Sequence, residues 1–266
     1  MPLVLITPNM ADSQAQKPKV VLHWLEKSRS QRILWLLQEC KDLDWEVKTY
    51  KRQPNMLAPP ALKEVHPLGK SPVITVESPA LSKSMVVAES AAICEYLCDH
   101  FAPHLVPKRY KEGKEGQVGG ETEEWLRYRF YMHYAEGSLM TLLLLTLFMD
   151  NLRDGPQVPW FIKPVTKLIV GQIDSFFLKP NHKTHFSFLD SEVASSPNGG
   201  QYLCGTELTA ADILMSFPLI AGKGKIDRQE YPKLTAYMDR LEEHEGYKAS
   251  IKKIEEISGE PFKAML

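Results

Sequence analysis

The chain has 266 residues, of which 44% are hydrophobic and 24% are charged, values close to the average for soluble globular domains. This composition excludes a chain that is disordered throughout, and the length is sufficient for two compact cores. The formal net charge of −1 provides no overall attraction for nucleic acid, so nucleic acid is not an expected partner.

Strands and helices alternate in the first part of the sequence. Residues 1–18 have little apolar periodicity, and we predict a flexible tail there. KVVLHWL (19–25) has the β-branched and aromatic content of a buried strand, and RILWLLQEC (32–40) has helical periodicity. A serine of the intervening EKSRSQ is expected to cap this helix. WEVKTY (45–50) then alternates as a second strand, which completes a βαβ unit of parallel strands.

A proline-rich loop separates this unit from a predicted hairpin. Within the loop, Ala61–Val65 has room for one short helix. SPVITV (71–76) and SMVVAES (84–90) are predicted as two strands in hairpin order, and SAAICEYLCDHF (90–101) as a helix. Residues 19–103 are therefore predicted to form a β-α-β-loop-β-β-α domain.

The rest of the sequence is predicted to be helical. Residues 104–123 form a charged, glycine-rich linker, and 124–266 form an all-helical domain. The helical periodicity is clearest in four segments, 125–152, 165–178, 210–222 and 232–244. Lys179–Gly200 is rich in polar residues and proline, and we predict part helix and part loop there.

Four separated motifs, taken together, resemble the glutathione transferases. HWLEKSRSQRILWLL (23–37) is similar to the first strand and helix of their serine-type, fungal and bacterial members. HPLGKSPVI (66–74) resembles their proline loop, and VVAESAAICEYL (86–97) their Glu-Ser segment. GTELTAADILMSFPL (205–219) resembles their helix with an internal capping box. The resemblance covers roughly residues 19–250 and is strongest to fungal transferases of the yeast type-one kind.

The resemblance implies a fold and a binding mode. The fold is a thioredoxin-like domain followed by the family's all-helical domain. The proline of Ser71–Pro72 is implied to be cis, so that Val73 turns its backbone N–H and C=O toward a peptide ligand and away from neighbouring strands. Without the motif the statistics of X–Pro bonds favour trans.

The implied ligand is glutathione, a tripeptide with a γ-glutamyl end, a thiol and a glycyl carboxylate. Ser90 and the first N–H groups of its helix are expected to bind the γ-glutamyl carboxylate, while Glu89 binds the ammonium group. Lys70 resembles the family's cation for the glycyl carboxylate, with Asn55 or Arg52 as alternatives. The implied glutathione-binding residues are Lys70, Ser71, Pro72, Val73, Glu89 and Ser90.

Catalysis requires a group that stabilises the thiolate of glutathione, because a free thiol with a pKa of about 8.5 is mostly protonated at neutral pH. Ser28 stands four residues before Arg32, the spacing of the catalytic serine in serine-type members, and Ser30 is the alternative. The first strand contains no tyrosine, and His23 is interpreted as a strand residue. Residues 28–31 contain no cysteine, so a disulfide-exchange route is not expected.

The second substrate is expected to be an apolar electrophile or a hydroperoxide, held against the first long helix of the second domain. Candidate wall residues on that helix are Tyr128, Tyr131, Met132, Ala135 and Glu136, although helix core is the favoured role for most of them. Thr209 and Asp212 are interpreted as a capping box with a folding role. A non-catalytic binding or regulatory module on the same fold is the alternative to an enzyme.

The remaining expectations concern the cysteines, two histidines, cofactors, location and assembly. The four cysteines lack metal or CxxC spacing and are interpreted as small buried hydrophobes, while His182 and His185 lack further ligands for a metal. No resident cofactor is expected, since glutathione is a co-substrate. The sequence has no secretory signal, so a cytoplasmic location is expected. The family implies a homodimer formed around SKSMVVAES and 124–140. Leu142–Met149 is expected to be buried, and membrane association is left open.

Overall fold

Four strands form one mixed sheet in a computed structural model that describes residues 17–264, so nearly all of the predicted tail lies outside the described residues. The strand order is β2-β1-β3-β4. In chain order the elements are β1 (Lys19–Leu25), α1 (Ser30–Glu39), β2 (Asp44–Tyr50), α2 (Ala61–Val65), β3 (Val73–Glu77), β4 (Met85–Ala88) and α3 (Ser90–Phe101). This order matches the predicted β-α-β-loop-β-β-α arrangement.

Strand β1 is central, and its pairing explains its composition. It runs parallel to β2 and antiparallel to β3, which in turn pairs antiparallel with β4. Val20, Leu22 and Trp24 are buried, and so is His23, because helices cover the sheet while strands flank β1 on both sides. A continuous apolar run is typical of such a strand. The thioredoxin-like fold expected from the sequence is confirmed.

The second part of the described chain consists of helices joined by loops. They are α4 (Glu123–Tyr134), α5 (Thr141–Asp154), α6 (Lys163–Ile173), α7 (Lys179–Ala194), α8 (Ala210–Ala221), α9 (Pro232–Glu243) and α10 (Glu245–Ser258). Two π-helical turns, Ala135–Met140 and Asp174–Leu178, join α4 to α5 and α6 to α7 without a break. Lys179–Gly200 is helix α7 followed by a loop, as predicted.

Helix Glu123–Asp154 is long and apolar enough to cross a membrane by length and composition alone. Its inner side is core, however: Tyr131, Ala135 and Leu139 are fully enclosed. The expectation that Leu142–Met149 is buried is only partly correct. Leu142 and Leu143 are buried, whereas other residues of this run, including the two large side chains at 144 and 148, reach the surface.

The start of α8 is fixed by a buried carboxylate. Asp212 accepts hydrogen bonds from the backbone N–H and hydroxyl of Thr209 at 2.8 and 2.7 Å, which completes the predicted capping box. Its other oxygen accepts bonds from the Leu203 N–H and the Tyr237 hydroxyl, at 2.9 and 2.8 Å. One side chain therefore joins the loop before α8, the start of α8, and α9, a folding role as expected.

Candidate active site

Two serine hydroxyls at the turn between β1 and α1 join the Ser71 hydroxyl, which lies just before β3, in one hydrogen-bonded row. The Ser28 hydroxyl donates to the Leu25 carbonyl at 2.6 Å and lies 2.7 Å from the Ser30 hydroxyl. Ser30 in turn contacts the Ser71 hydroxyl, which donates to the His23 carbonyl at 2.7 Å. The row runs from the end of the central strand to the residue before Pro72.

Counting protons shows how this row is polarised. The hydroxyls of Ser28 and Ser71 each contact a carbonyl oxygen, which can only accept, so these two protons are committed. The Ser30 proton then goes to either Ser28 or Ser71. When Ser30 donates to Ser28, it makes the Ser28 hydroxyl a better donor, because linked hydrogen bonds polarise one another.

Exposure separates the two catalytic candidates. Ser30 is fully enclosed, with 0% of its surface accessible, whereas Ser28 is partly exposed and lines a cavity. A ligand thiol can therefore reach the hydroxyl of Ser28 directly. The expectation that one of these serines caps α1 is partly correct: Arg29 occupies the N-cap position, but the Ser28 hydroxyl oxygen accepts the N–H of Ser30, the first residue of α1, at 3.2 Å.

The cavity beside Ser28 has a volume of about 500 Å³ and two chemically different sides. Its polar side comes from the first domain and includes Ser28, Ser71 and Lys70. Its apolar side comes mainly from the second domain and consists of Met140, Leu144, Leu147 and Phe217, with Met56, Leu57 and Ala58 at the edge. Such a cavity suits a ligand pair with one polar and one apolar member.

The residues that line the cavity include four cations and no acidic side chain. The cations are Lys27, Arg29, Arg52 and Lys70. Lys27 and Lys70 form no ion pair within residues 17–264. The resulting positive field favours an anionic ligand and lowers the free energy of a thiolate relative to a thiol.

Arg52 and Asn55, the alternatives to Lys70 in the proline-rich loop, have structural roles. The Arg52 guanidinium donates to the backbone carbonyls of Glu26, Lys27 and Met56, at 3.1, 2.9 and 2.8 Å. The Asn55 side-chain oxygen accepts the N–H of Leu57 at 3.0 Å. These bonds hold the loop in place, so of the three candidates for the glycyl carboxylate Lys70 is the one whose head group has no partner within residues 17–264.

The peptide bond between Ser71 and Pro72 is cis, as the resemblance implied. The expectation for Val73 is wrong. Val73 pairs with His23 of β1 and with Ala88 of β4, and an extended residue between two antiparallel strands points its N–H and C=O at one of them. Ser71 is the residue with unused backbone groups, since neither its N–H nor its C=O forms a hydrogen bond within the described chain.

Glu89 and Ser90 lie next to this turn across the sheet. Continuing the β3–β4 register by one residue brings Pro72 opposite Glu89. Glu89 has a φ of 73°, a backbone conformation that is unusual for a residue with a side chain and that occurs preferentially at functional sites. The Glu89 carboxylate is exposed, and Ser90 is the first residue of α3. Neither residue lines the cavity, although both follow the strand that pairs with the start of β3.

The predicted wall residues on α4 are not in the cavity. Tyr128, Tyr131, Met132 and Ala135 are buried in the core. Glu136, in the π-helical turn, is bonded to both Arg29 and Arg32, which ties the start of α1 to the second domain. Burial raises the pKa of the Glu136 carboxyl, but the two guanidinium groups outweigh burial and hold this pKa below its ordinary value.

His23, His182 and His185 each contact a side-chain hydroxyl within the protein. His23 lies between the hydroxyls of Tyr50 and Thr75, at 2.9 and 2.7 Å, and burial followed by the charge of Lys48 lowers its pKa. It therefore remains a strand residue, as interpreted from the sequence. His182 contacts the Thr146 hydroxyl at 2.9 Å, and His185 contacts the Tyr134 hydroxyl at 2.6 Å.

All four cysteines are free thiols, and three of them are buried. Burial raises the pKa of Cys40 and of Cys94 to about 12, and it raises the pKa values of Cys98 and Cys204 as well. A thiol with so high a pKa is a poor nucleophile. This agrees with their interpretation as small hydrophobes.

Several residues of the site were not anticipated from the sequence. The apolar wall formed by Met140, Leu144, Leu147 and Phe217 carries no local signal, because each of these residues stands in a helix that is apolar on several sides. The pairing of Arg29 and Arg32 with Glu136 joins residues more than 100 positions apart. Helix α10, which packs against α1, was not predicted as a separate element.

Comparison with known proteins gives the class of this chain. The family model described as "Glutathione S-transferase, N-terminal domain" matches residues 28–100, and that for the C-terminal domain matches 171–253. Glutathione S-transferase 1 of Saccharomyces cerevisiae is 33% identical over 89% of this chain and 95% of its own length. Glutathione S-transferase 3 of Schizosaccharomyces pombe is 29% identical over 89% and 88%.

A solved structure agrees with these matches. A glutathione S-transferase from Actinobacillus pleuropneumoniae superposes with a TM-score of 0.60 at 28% identity, over 88% of this chain and 92% of its own. The chain belongs to the glutathione S-transferase family. The family, the fold and the transferase class expected from the sequence are confirmed, and the alternative of a non-catalytic module is not favoured.

Proposed function

We propose that this enzyme activates glutathione with the Ser28 hydroxyl and joins the thiolate sulfur of the intact tripeptide to an apolar electrophile. The observation that carries the proposal is the partly exposed Ser28 hydroxyl, placed in a cavity lined by cations on one side and apolar residues on the other. Glutathione is the co-substrate, and this route requires no resident cofactor.

In the proposed ground state, the thiol of bound glutathione loses its proton to solvent and the thiolate accepts a hydrogen bond from Ser28. To donate, Ser28 turns away from the Leu25 carbonyl while Ser30 donates to the Ser28 oxygen. A hydrogen bond to a charged group is worth about 1.5–3 kcal/mol, which lowers a thiol pKa by roughly one to two units. Lys27, Arg29 and the start of α1 add positive potential.

The tripeptide is proposed to lie along the turn before β3. The free N–H and C=O of Ser71 can bond the cysteinyl backbone, while Glu89 and Ser90 take the γ-glutamyl end. Lys70 pairs with the glycyl carboxylate. The thiolate then faces Met140, Leu144, Leu147 and Phe217, where an apolar electrophile or a hydroperoxide excludes water from the reacting sulfur.

Conjugation and peroxidase activity can be separated by assay. Turnover of glutathione with chlorodinitrobenzene tests attack on carbon, and turnover with cumene hydroperoxide tests attack on oxygen. We expect both activities, because both begin with a thiolate in an apolar pocket. The thiolate displaces chloride from chlorodinitrobenzene, whereas with the hydroperoxide it cleaves the O–O bond, releasing the alcohol and leaving glutathione sulfenic acid, which a second glutathione converts to glutathione disulfide and water. If neither substrate turns over although glutathione binds, the proposed chemistry is wrong.

The Ser30→Ala variant tests the hydroxyl row. Ser30→Ala removes the hydroxyl proton that polarises Ser28 and should lower kcat several-fold, a smaller loss than in Ser28→Ala. The loss is smaller because linked hydrogen bonds strengthen one another by only roughly 10–30% each. The pKa of the bound thiol should rise by a fraction of a unit, as measured by thiolate absorbance. An unchanged thiol pKa in a well-folded Ser30→Ala variant would show that the row does not act on Ser28.

The Lys70→Ala variant tests the glycyl carboxylate contact. Its KM for glutathione should rise by up to about tenfold with little change in kcat, because an exposed ion pair that persists into the transition state affects binding only. γ-Glutamylcysteine, which lacks the glycine, should bind equally well to the wild type and to Lys70→Ala. Lys111→Ala, which alters an exposed lysine of the linker, is the matched control. If the variant still prefers glutathione over the dipeptide, Lys70 has no role there.

We also propose a homodimer and a cytoplasmic location. Leu126 and Phe130 on α4 and Val86 on β4 are large apolar side chains that remain exposed on the elements expected at the interface. The free thiols of all four cysteines are consistent with a reducing compartment. Light scattering on the purified protein measures the oligomeric state, and a monomer at micromolar concentration would contradict the dimer.

A further inference from the structure

Helix α6 turns its apolar side away from the protein. Of its eleven residues only Val170 is buried, and that residue faces the rest of the second domain. Val165, Leu168 and Ile169 share the opposite side by their three- and four-residue spacing, and all three are exposed. A helix on the surface of a protein in water normally has the reverse arrangement.

The exposed apolar residues continue beyond both ends of α6. Trp160 and Phe161 lie in the turn before the helix, and Trp160 is 82% exposed. Phe176 follows in the π-helical turn after it and is 70% exposed. We call Trp160, Phe161, Val165, Leu168, Ile169 and Phe176 the α6 surface. Within residues 17–264, nothing covers it.

The charges around the α6 surface are strongly one-sided. Residues 157–185 contain four lysines and a single acidic residue, Asp174. Lys167 and Lys179 form ion pairs with Asp154 and Asp174, whereas Lys163 and Lys183 have no ion-pair partner within the described chain. Lys163 is the first residue of α6, and Lys179 and Lys183 follow in the first part of α7 after the π-helical turn, so lysines stand at both ends of the α6 segment.

We propose that the α6 surface binds peripherally to an anionic lipid bilayer. Tryptophan, phenylalanine and aliphatic side chains enter the boundary between headgroups and acyl chains, and lysines at the same level pair with anionic headgroups. An eleven-residue helix is too short to span a bilayer, so α6 lies in the plane of the interface. Burial of apolar area and attraction of the lysines supply two separate contributions, the combination that stable peripheral binding requires.

A second copy of the chain fits this surface less well. A two-fold contact through α6 would bring Lys163 and Lys183, which have no ion-pair partner within residues 17–264, against the same segment of the other copy. Like charges across an interface oppose association. An anionic bilayer offers the opposite charge in excess.

The position of the α6 surface relates it to the cavity. Helix α6 packs against α5. Helix α5 supplies Leu144 and Leu147 to the apolar wall of the cavity, and its Phe148 is exposed. Binding through α6 therefore places the apolar side of the cavity near the bilayer. Electrophiles and lipid hydroperoxides that dissolve in the membrane would reach the thiolate without crossing bulk water.

Flotation with lipid vesicles tests this proposal on the full-length chain. The wild type should float with vesicles of phosphatidylcholine and phosphatidylserine, and much less with phosphatidylcholine alone. Trp160→Ser combined with Phe176→Ser should reduce binding at least about tenfold through lost apolar burial. Lys163→Gln combined with Lys183→Gln should reduce it about fivefold for each lysine, with the loss concentrated at low salt.

The controls separate membrane binding from folding and from self-association. Val118→Ser removes an exposed apolar side chain far from α6 and should bind vesicles like the wild type. Every variant should keep its turnover with glutathione and chlorodinitrobenzene in solution, since the altered residues lie outside the cavity. The proposal is overturned if the wild type does not bind anionic vesicles, or if the Trp160→Ser, Phe176→Ser variant binds them equally well. A lower oligomeric state of that variant without vesicle binding would assign the surface to a second copy instead.

Discussion

Replacing Ser28 with alanine is expected to lower kcat for conjugation by roughly 10- to 100-fold near neutral pH, the equivalent of one hydrogen bond to a charged acceptor. The partly exposed Ser28 hydroxyl is the donor of the row that a ligand in the cavity can reach most readily, because Ser30 is enclosed and Ser71 is only 8% exposed. The binding of glutathione itself should change little, since its two ends are held elsewhere.

The pH profile distinguishes this role from a structural one. Without the Ser28 hydrogen bond, the bound thiol ionises near its ordinary pKa of about 8.5. The deficit of Ser28→Ala should therefore shrink as the pH rises past this value, where thiolate forms without assistance. Ser28→Thr retains the hydroxyl and should keep most of the activity. A deficit that is the same at every pH would mean that alanine disturbs the site in some other way.

The largest effect on stability is expected from Glu136→Gln, at about 3–5 kcal/mol of unfolding free energy. Arg32 is entirely enclosed, and Glu136 is its acidic partner. One outer nitrogen of Arg32 donates to the Leu214 carbonyl at 2.8 Å, while the Arg32 Nε has no partner among residues 17–264. Removing the carboxylate leaves a buried positive charge without compensation, which is far more costly than losing an exposed ion pair.

The shift of the urea midpoint measures this cost, and two further variants define its origin. Arg32→Met should cost less than Glu136→Gln, because Glu136 retains Arg29 and partial contact with solvent when Arg32 is removed. Glu123→Gln removes an exposed carboxylate from its i,i+4 pair with Arg127, which keeps Glu192 as a partner, and should cost no more than about 0.5 kcal/mol. Equal losses for Glu136→Gln and Glu123→Gln would contradict the buried-charge explanation.

Stability should also depend on pH through Glu136. Because the pKa of its carboxyl is held below the ordinary value in the folded protein, the stabilisation is complete above the ordinary carboxyl pKa and is lost as the pH falls through the depressed one. Unfolding midpoints measured from pH 7 downward should show this acid-induced loss in the wild type. Glu136→Gln, which has no proton to gain, should show a smaller loss over the same range.

The sequence contained most of the fold because local pattern and local chemistry agreed. The continuous apolar run of β1, the alternation of β2 and the Thr209–Asp212 capping box each depend on neighbours within a few residues. The catalytic candidates were also local, since Ser28 and Ser30 lie in one turn. Choosing between them required burial, which depends on Ser71 and on helices far along the chain.

The incorrect expectations concern long-range geometry. Glu136 lies on the helix that is expected to form a pocket wall, but its carboxylate is paired with the enclosed Arg32. No spacing in the sequence indicates that these two residues meet. Val73 was assigned the backbone contact that Ser71 is free to make, because the motif does not reveal where pairing in β3 begins. The outward orientation of the α6 apolar side likewise appears only once α6 is packed against α5.

The most direct test of the proposed mechanism is an ultraviolet titration of the thiolate absorbance of glutathione bound to the wild type and to Ser28→Ala. We expect the thiol pKa in the wild type to lie one to two units below its ordinary value of about 8.5, and to return close to that value in the variant. If glutathione binds both proteins with the same unshifted pKa, Ser28 does not activate the thiol and the mechanism proposed for this transferase is wrong.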